Sequence, residues 1–438
     1  MRKLLRLVLV LVALGLIGLA GFWIWATSPA EIAAIERPDP ASLDKALVEE
    51  GEMLARIGDC STCHTAPGGE ELAGGLGLPT PFGTIYSTNL TPDPETGIGT
   101  WSEAAFVRAM REGLDRNGEH LYPAFPYDHF TKVTDHDLSA VYAFLMAQPP
   151  VRKARTPNEM PFPFGLRPIL AGWKLLFLDK TPWQPDPALD EEQNRGKYLV
   201  DGLAHCGACH SPRNMFGAVD QSRPFAGGEA ENWTVPALGA ASTAPVAWTN
   251  DAYLDYLFDG WEQHHSIAAG PMTAVSDHLY DVTEDDVFAM AAYLSTLAPE
   301  PDAAKNEAAV TAAEALDWAE GEQPGGANAP DGADLLAGEE VFFRTCAKCH
   351  KARIAETQPS SLVFAAPVRA PDARNLLHVV REGIKPPLGA LARTMPGQDI
   401  NVTDADLVNL AAFVRWRFSD LPPWPDVAGD LARVKAGH

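Results

Sequence analysis

The chain has 438 residues, room for about three domains of ~100 to 200 residues each, and with 46% hydrophobic and 21% charged residues its composition is globular. Fifty-eight acidic against 34 basic side chains give a formal charge of −24, which excludes nucleic acid as a partner because phosphate binding needs a basic face. A protein partner is expected to meet this acidic surface with basic or neutral residues.

Met1-Arg-Lys-Leu-Leu-Arg6 opens the chain, and an uncharged apolar run from Leu7 to Thr27 follows, containing Trp23 and Trp25. At ~1.5 Å per residue that run spans about 31 Å, the thickness of a bilayer's hydrocarbon core. Secretory apolar regions are shorter, ~7 to 15 residues, and the small residues Gly18 and Ala20 lie inside this run rather than after it. Residues 1–30 are therefore expected to form an uncleaved membrane anchor, with a cleaved signal as the alternative. Arg2, Lys3 and Arg6 hold the start on the cytoplasmic side, and the tryptophans suit the far interface. Everything after about Pro29 is then exported.

All six cysteines fall in three pentapeptides: Cys60-Ser-Thr-Cys63-His64, Cys206-Gly-Ala-Cys209-His210 and Cys346-Ala-Lys-Cys349-His350. This pattern is that of covalent haem attachment: two thiols on one helical turn bond the porphyrin vinyl groups, and the adjacent histidine reaches the iron. Zinc would require further spaced ligands, and a dithiol redox motif does not call for the histidine. The expected cofactor is three covalently bound haems c.

The surroundings of the motifs repeat as well. Each motif follows an amphipathic helix pattern marked by a glycine, Gly51, Gly196 or Gly338, which would let a second backbone approach closely. Each unit then ends in a helix start, at Val133-Thr134, Val282-Thr283 and Val402-Thr403, with the threonine at the N-cap and an acid three residues later. The loop before that last helix is where a second iron ligand is sought. Met272 and Met395 stand there in the second and third units. In the first unit the same position holds Phe125, which cannot bind iron. His129 in that loop is the expected distal ligand; an open or water-bound iron, or His120 or Met110, are the alternatives.

The expected organisation is all-α, with the anchor in 1–30 and haem units in 41–150, 190–298 and 337–424. Between them lie a proline-rich connector in 151–189 and an acidic Ala/Pro/Gly linker in 299–336. The connector's apolar stretch, Phe164 to Leu178, is interrupted by Arg167 and Lys174 and cannot span a bilayer; it is expected at the membrane interface, on a partner subunit, or packed between units. The linker is expected to be solvated and to leave the third unit separately mobile.

A glycine-bearing first helix, the haem motif, a ligand loop and a capped last helix resemble a class I cytochrome c domain, here three in tandem after an N-terminal transmembrane helix. The runs Gly58 to Gly69, Pro81 to Asp93, Thr96 to Gly99, Met110 to Gly113, Leu121 to Ala124 and His205 to Asn214 resemble the triheme cytochrome c subunits of membrane-bound periplasmic dehydrogenases. That resemblance covers the first two units closely and the third more loosely. It implies a bacterial inner-membrane protein, anchored by its N-terminus with haem domains in the periplasm. It also implies a molybdenum, quinoprotein or flavoprotein dehydrogenase subunit as electron donor, and ubiquinone or a terminal oxidase as acceptor. Family members commonly carry methionine where Phe125 stands. The chain has no dinucleotide glycine fingerprint or nucleophile elbow, so oxidation of a metabolite is expected in another chain. A peroxidase-like enzyme using an open site at the first haem is the competing reading.

Overall fold

The structure, a computed structural model, describes residues 1–318, 335–350, 361–390, 393–399 and 402–437. The chain divides into two compact units, one comprising 1–184 with 215–218, the other 185–214 with 219–438.

The first unit opens with α1 (Arg2–Ala26), long and apolar enough to cross a membrane, and none of its most apolar stretch is buried in the protein. α2 (Lys45–Ile57) starts where Asp44 accepts from the Ala46 N–H at 2.9 Å, and it buries Gly51, Leu54, Ala55 and Ile57. α3 (Cys60–His64) is the first motif. An antiparallel ribbon of β1 (Gly77–Thr80) and β2 (Gly83–Tyr86) precedes α4 (Glu103–Glu112), the short α5 (Tyr127–Phe130) and α6 (Asp135–Ala147). Thr134 caps α6 by accepting from the Asp137 N–H at 3.2 Å. α2 and α6 cross at Gly51, where a Cβ would collide with the carbonyl oxygen of Ala140. α7 (Ile169–Phe177), from the connector, completes the unit.

The second unit repeats this frame twice. α8 (Glu191–Tyr198) begins with an Asp190/Gln193 capping box and runs through a π-helical turn at Leu199–Leu203 into α9 (Gly207–His210), the second motif. The ribbon β3 (Gly228–Ala230) and β4 (Trp233–Val235) follows, then α10 (Asn250–Asp259), the ribbon β5 (Trp261–Glu262) and β6 (Ser266–Ile267), α11 (Pro271–Tyr280) and α12 (Glu284–Ser295). After α13 (Ala303–Trp318), α14 (Leu335–Val341) leads through a second π-helical turn, Phe342–Cys346, to α15 (Ala347–His350). Beyond α16 (Ala366–Arg369) and α17 (Arg374–Glu382), a ribbon of β7 (Gly383–Ile384) and β8 (Met395–Pro396) precedes α18 (Asp404–Phe418) and α19 (Val427–Ala436). Gly196 meets the carbonyl of Ala289 on α12, and Gly338 meets that of Asn409 on α18, just as Gly51 meets α6. A π-helical turn adds one residue per turn and is often found at functional sites; here one ends just ahead of Cys206 and the other contains Cys346.

The chain is mostly helical and carries, among the described residues, four short two-stranded ribbons, because the short segments between helices pair locally and satisfy their own backbone groups. Three readings of the sequence need correction. The 299–336 stretch is not wholly a solvated linker, since α13 lies in it and buries Ala313 against the 362–364 turn and α18; residues 319–334 of it lie outside those described. Thr283 occupies the N-cap of α12 without a side-chain cap bond, and the acid three residues on, Asp286, is instead bonded by Arg195 of α8 at 2.7 Å. The third repeat is not separate from the second, because a buried polar cluster joins them. Arg374 on α17 reaches Glu229 and Asp372, each at 3.0 Å, and the Thr234 hydroxyl at 2.9 Å. Asn375 exchanges two hydrogen bonds with the Thr234 backbone at 2.7 and 2.8 Å, and Trp233 stacks on His378 at 4.6 Å. Satisfied buried polar networks of this kind specify one arrangement.

Candidate haem sites

Each motif forms a short helical segment, which brings its two cysteines, three residues apart, to one side of the turn. In the first, Asp59 adopts a left-handed conformation (φ 51) and accepts from the Thr62 hydroxyl at 2.6 Å, breaking α2 from α3. In the second a π-helical turn ends at Leu203 and His205 is left-handed (φ 41), breaking α8 from α9 in the same way, whereas in the third the π-helical turn runs into α15 without a break. Burial pushes the Cys60 and Cys206 thiols up to about 12, with nearby Asp59 and Cys209 respectively adding to the rise, and burial also raises Cys346. These are neutral thiols in apolar surroundings.

The histidines are prepared for a metal. His64 Nδ1 lies 2.6 Å from the Thr88 carbonyl oxygen and His210 Nδ1 lies 2.8 Å from that of Pro236. A carbonyl can only accept, so Nδ1 is the protonated nitrogen and Nε2 keeps its lone pair. Desolvation holds both imidazoles below their ordinary value, only partly opposed by those hydrogen bonds, so they are neutral at pH 7. A metal-bound histidine needs that tautomer and that second partner. Desolvation lowers His350 too; among the described residues its Nδ1 has no partner, and the residues directly following it lie outside those described.

The expected distal ligands differ in how the fold places them. Met395, on β8 opposite Ile384, lines one cavity with Cys346, Cys349 and His350, walled by Phe342, Leu376, Val380 and Leu410. An apolar cavity with a cysteine pair, a neutral imidazole and a thioether suits a haem. Met272 is the second residue of α11, following Gly270 (φ +57), whose α-carbon sits so close to the Trp233 ring that a Cβ would strike it. Phe125 packs at 5.3 Å from Phe130 and 6.4 Å from Tyr127, and His129 is buried in α5 between these aromatics in sequence. Of the alternative donors, Met110 is buried on α4, and His120 Nε2 is bonded to the Ala26 carbonyl at the end of α1 at 2.9 Å.

Two features escaped the sequence. The carbonyls of Thr88 and Pro236 hold the histidines, yet a backbone oxygen has no residue-type signature. Ser266, Ile267 and Ala269, from the loop that leads to Met272, also wall the third cavity; a repeat seen one unit at a time gives no sign of such sharing.

Glycine-locked helix crossings, each beside a cysteine pair and a neutral, carbonyl-tied or buried histidine, define a haem-binding cytochrome c protein. A family profile described as Cytochrome c matches residues 48–149, and one described as Cytochrome C oxidase, cbb3-type, subunit III matches residues 333–414. A nicotinate dehydrogenase subunit of Pseudomonas putida is 44% identical over 430 residues; these are 97% of this chain but 34% of that protein, so the chain spans about a third of that relative's length. The gluconate 2-dehydrogenase cytochrome c subunit of Pantoea cypripedii is 35% identical over 410 residues, 89% of this chain and 90% of the relative. The cytochrome c subunit of the quinone alcohol dehydrogenase of Gluconobacter oxydans is 33% identical over 409 residues, 90% and 83% of the two chains. The chain belongs to this family of cytochrome c subunits of dehydrogenases.

Proposed function

We propose that the chain is a triheme c-type cytochrome that relays electrons from the catalytic subunit of a dehydrogenase to ubiquinone or a terminal oxidase. On this reading it comprises three class I cytochrome c domains, 41–150, 190–298 and 337–424, held in the periplasm by α1 in the bacterial inner membrane. The observation that carries it is the threefold recurrence of one arrangement, a cysteine pair and histidine beside a helix crossing at glycine. Haem supplies a one-electron iron couple when attached. The chain's residues then set its conditions. Cys60 and Cys63, Cys206 and Cys209, and Cys346 and Cys349 hold it; His64, His210 and His350 present Nε2; Met272 and Met395 present thioethers; and the buried walls exclude water. His129 is the proposed distal ligand in the first domain. The loop 266–272 serves both the second ligand set and the third cavity, which makes the second and third sites neighbours in the relay.

The resemblance includes cytochrome subunits of molybdenum-containing aldehyde or nicotinate dehydrogenases, and the 44% identity to a nicotinate dehydrogenase chain favours that kind of partner over a quinoprotein or flavoprotein. Pyridine haemochrome analysis of protein matured in a competent host is expected to give three haems per chain, and metal analysis of the complex it co-purifies with is expected to find molybdenum. Fewer than three haems would overturn the triheme reading. Phe125 favours one second reading, a ligand-binding first haem with peroxidase-like chemistry. A stoichiometric high-spin ferric signal and rapid cyanide binding in the wild type would select it.

A further inference from the structure

α7 is built the wrong way round for a helix that faces water. Its cation and the one just before it turn inward: Lys174 Nζ donates to the Glu112 and Gly113 carbonyls at 2.6 and 2.5 Å, capping the end of α4, and Arg167 donates to the His120 carbonyl at 3.3 Å and pairs with Glu119 at 3.2 Å. Its leucines turn outward, Leu175 being 69% and Leu176 72% exposed. Phe162, Met215 and Phe216 of the same unit are also exposed, and Phe216 is tied to α7 by the Trp173 Nε1–H at 3.0 Å and by ring contact with Phe177 at 5.9 Å. In soluble proteins it is the long cation that lies outward and the leucine that is buried.

The position of α7 says what covers it. Its Gly172 sits against Phe22 of α1, four residues before the end of that helix and so about 6 Å inside it at 1.5 Å per residue. The end of α1 is also tied to the domain without slack: the Ala26 carbonyl accepts from His120, the Ala30 carbonyl accepts from Arg108 at 2.6 Å, and Glu31 pairs with Arg116 at 2.9 Å. A helix fixed beside the outer end of a membrane span lies at the depth of the headgroup and acyl boundary, where an apolar outward face is stable.

We infer that α7 is a second membrane contact, an interfacial helix whose Leu175 and Leu176 enter the outer face of the lipid bilayer and hold the first domain flat against it. The inference rests on reading α1 as a membrane span and adds a surface to it. The test uses full-length protein in vesicles of phosphatidylcholine and phosphatidylglycerol, spin-labelled at Leu175→Cys or Leu176→Cys, with Leu14→Cys as the lipid reference and the exposed Glu70→Cys as the water reference. Unsubstituted protein should take up no label if its six cysteines are thioethers, so label on the wild type would count against haem attachment and not against α7. Both leucine positions are expected to favour oxygen over a water-soluble nickel chelate several-fold relative to Glu70→Cys, at a depth between the two references. Nickel access equal to that at Glu70→Cys would overturn the inference, and so would protection from both reagents, which marks a protein contact. A Leu14→Cys label outside lipid would instead overturn the anchor.

Discussion

The first haem unit and the paired second and third units share a frame and differ in what their ligand loops face. In the first, the segment after α4 is committed to the anchor and α7: His120 bonds the end of α1, Tyr127 packs on Gly113 and stands edge-on to Trp173 at 5.9 Å, and Lys174 caps α4 beside it. Its central residue is Phe125. In the other two, the loop leading to Met272 also walls the cavity that holds Met395, so the two loops proposed to carry ligands are supported by one interface. A repeated helix frame thus leaves each loop free to adapt to its neighbour, and on the proposed reading the iron ligand changes where that neighbour is α1 and α7.

The most severe way to break the frame is at a crossing. Gly196→Val puts side-chain carbon into the Ala289 carbonyl, which cannot move aside without opening α8 from α12. A loss of about 3 kcal/mol or more is expected, seen as loss of folded, haem-bearing protein and, where any survives, a much lower unfolding temperature. Gly51→Val should do the same to the first unit, and a mild effect at either site would show that the crossing is not the organising contact.

Next is the bond between the second and third repeats. Arg374→Ala leaves Asp372 without its cation, and breaking that largely buried pair costs about 3 kcal/mol, the exposed Glu229 adding little; limited proteolysis and thermal unfolding should show the two repeats separating, while the first unit is unchanged. Burial alone would raise Asp372, but hydrogen bonds from Arg374 and Thr234 and the Arg374 charge outweigh it and hold the carboxyl below its usual range. Its contribution is therefore complete above the ordinary carboxylate value of about 4 and is lost as the pH falls through the lowered one. An Arg374→Ala protein should lack that acid-induced step.

The ligand contrast is sharpened by redox titration. Met272→Ala and Met395→Ala are each expected to lower one component, since a thioether favours ferrous iron, within the roughly 0.8 V range that axial ligands span. Phe125→Met is expected to raise the lowest component toward the other two, and His129→Ala to produce a high-spin ferric signal in electron paramagnetic resonance. If His129→Ala leaves the spectrum unchanged, the first haem has another ligand.

The smallest difference lies in the caps. Thr403 forms a full capping box with Asp406, whereas Thr283 makes no side-chain cap bond. Thr403→Ala should cost about 1 kcal/mol and Thr283→Ala close to nothing, measured as the shift in unfolding temperature of the respective variants.

Much of this was legible in the residues. Haem attachment sets the spacing of cysteines and histidine, close backbone approach admits glycine at Gly51, Gly196 and Gly338, and an apolar run as long as a bilayer is thick marks α1 as long enough to span one; each is a local rule that a sequence can carry. What the tertiary structure decided depends on groups that carry no residue signature or on partners far along the chain. The Thr88 and Pro236 carbonyls fix the imidazoles, Asp286 is bonded by Arg195 while Thr283 makes no cap, and Arg374 bonds the second repeat to the third. The inward cations and outward leucines of α7 are of the same kind: both patterns fit the helix, and the neighbours of Gly172 and Lys174 alone determine which face is left exposed.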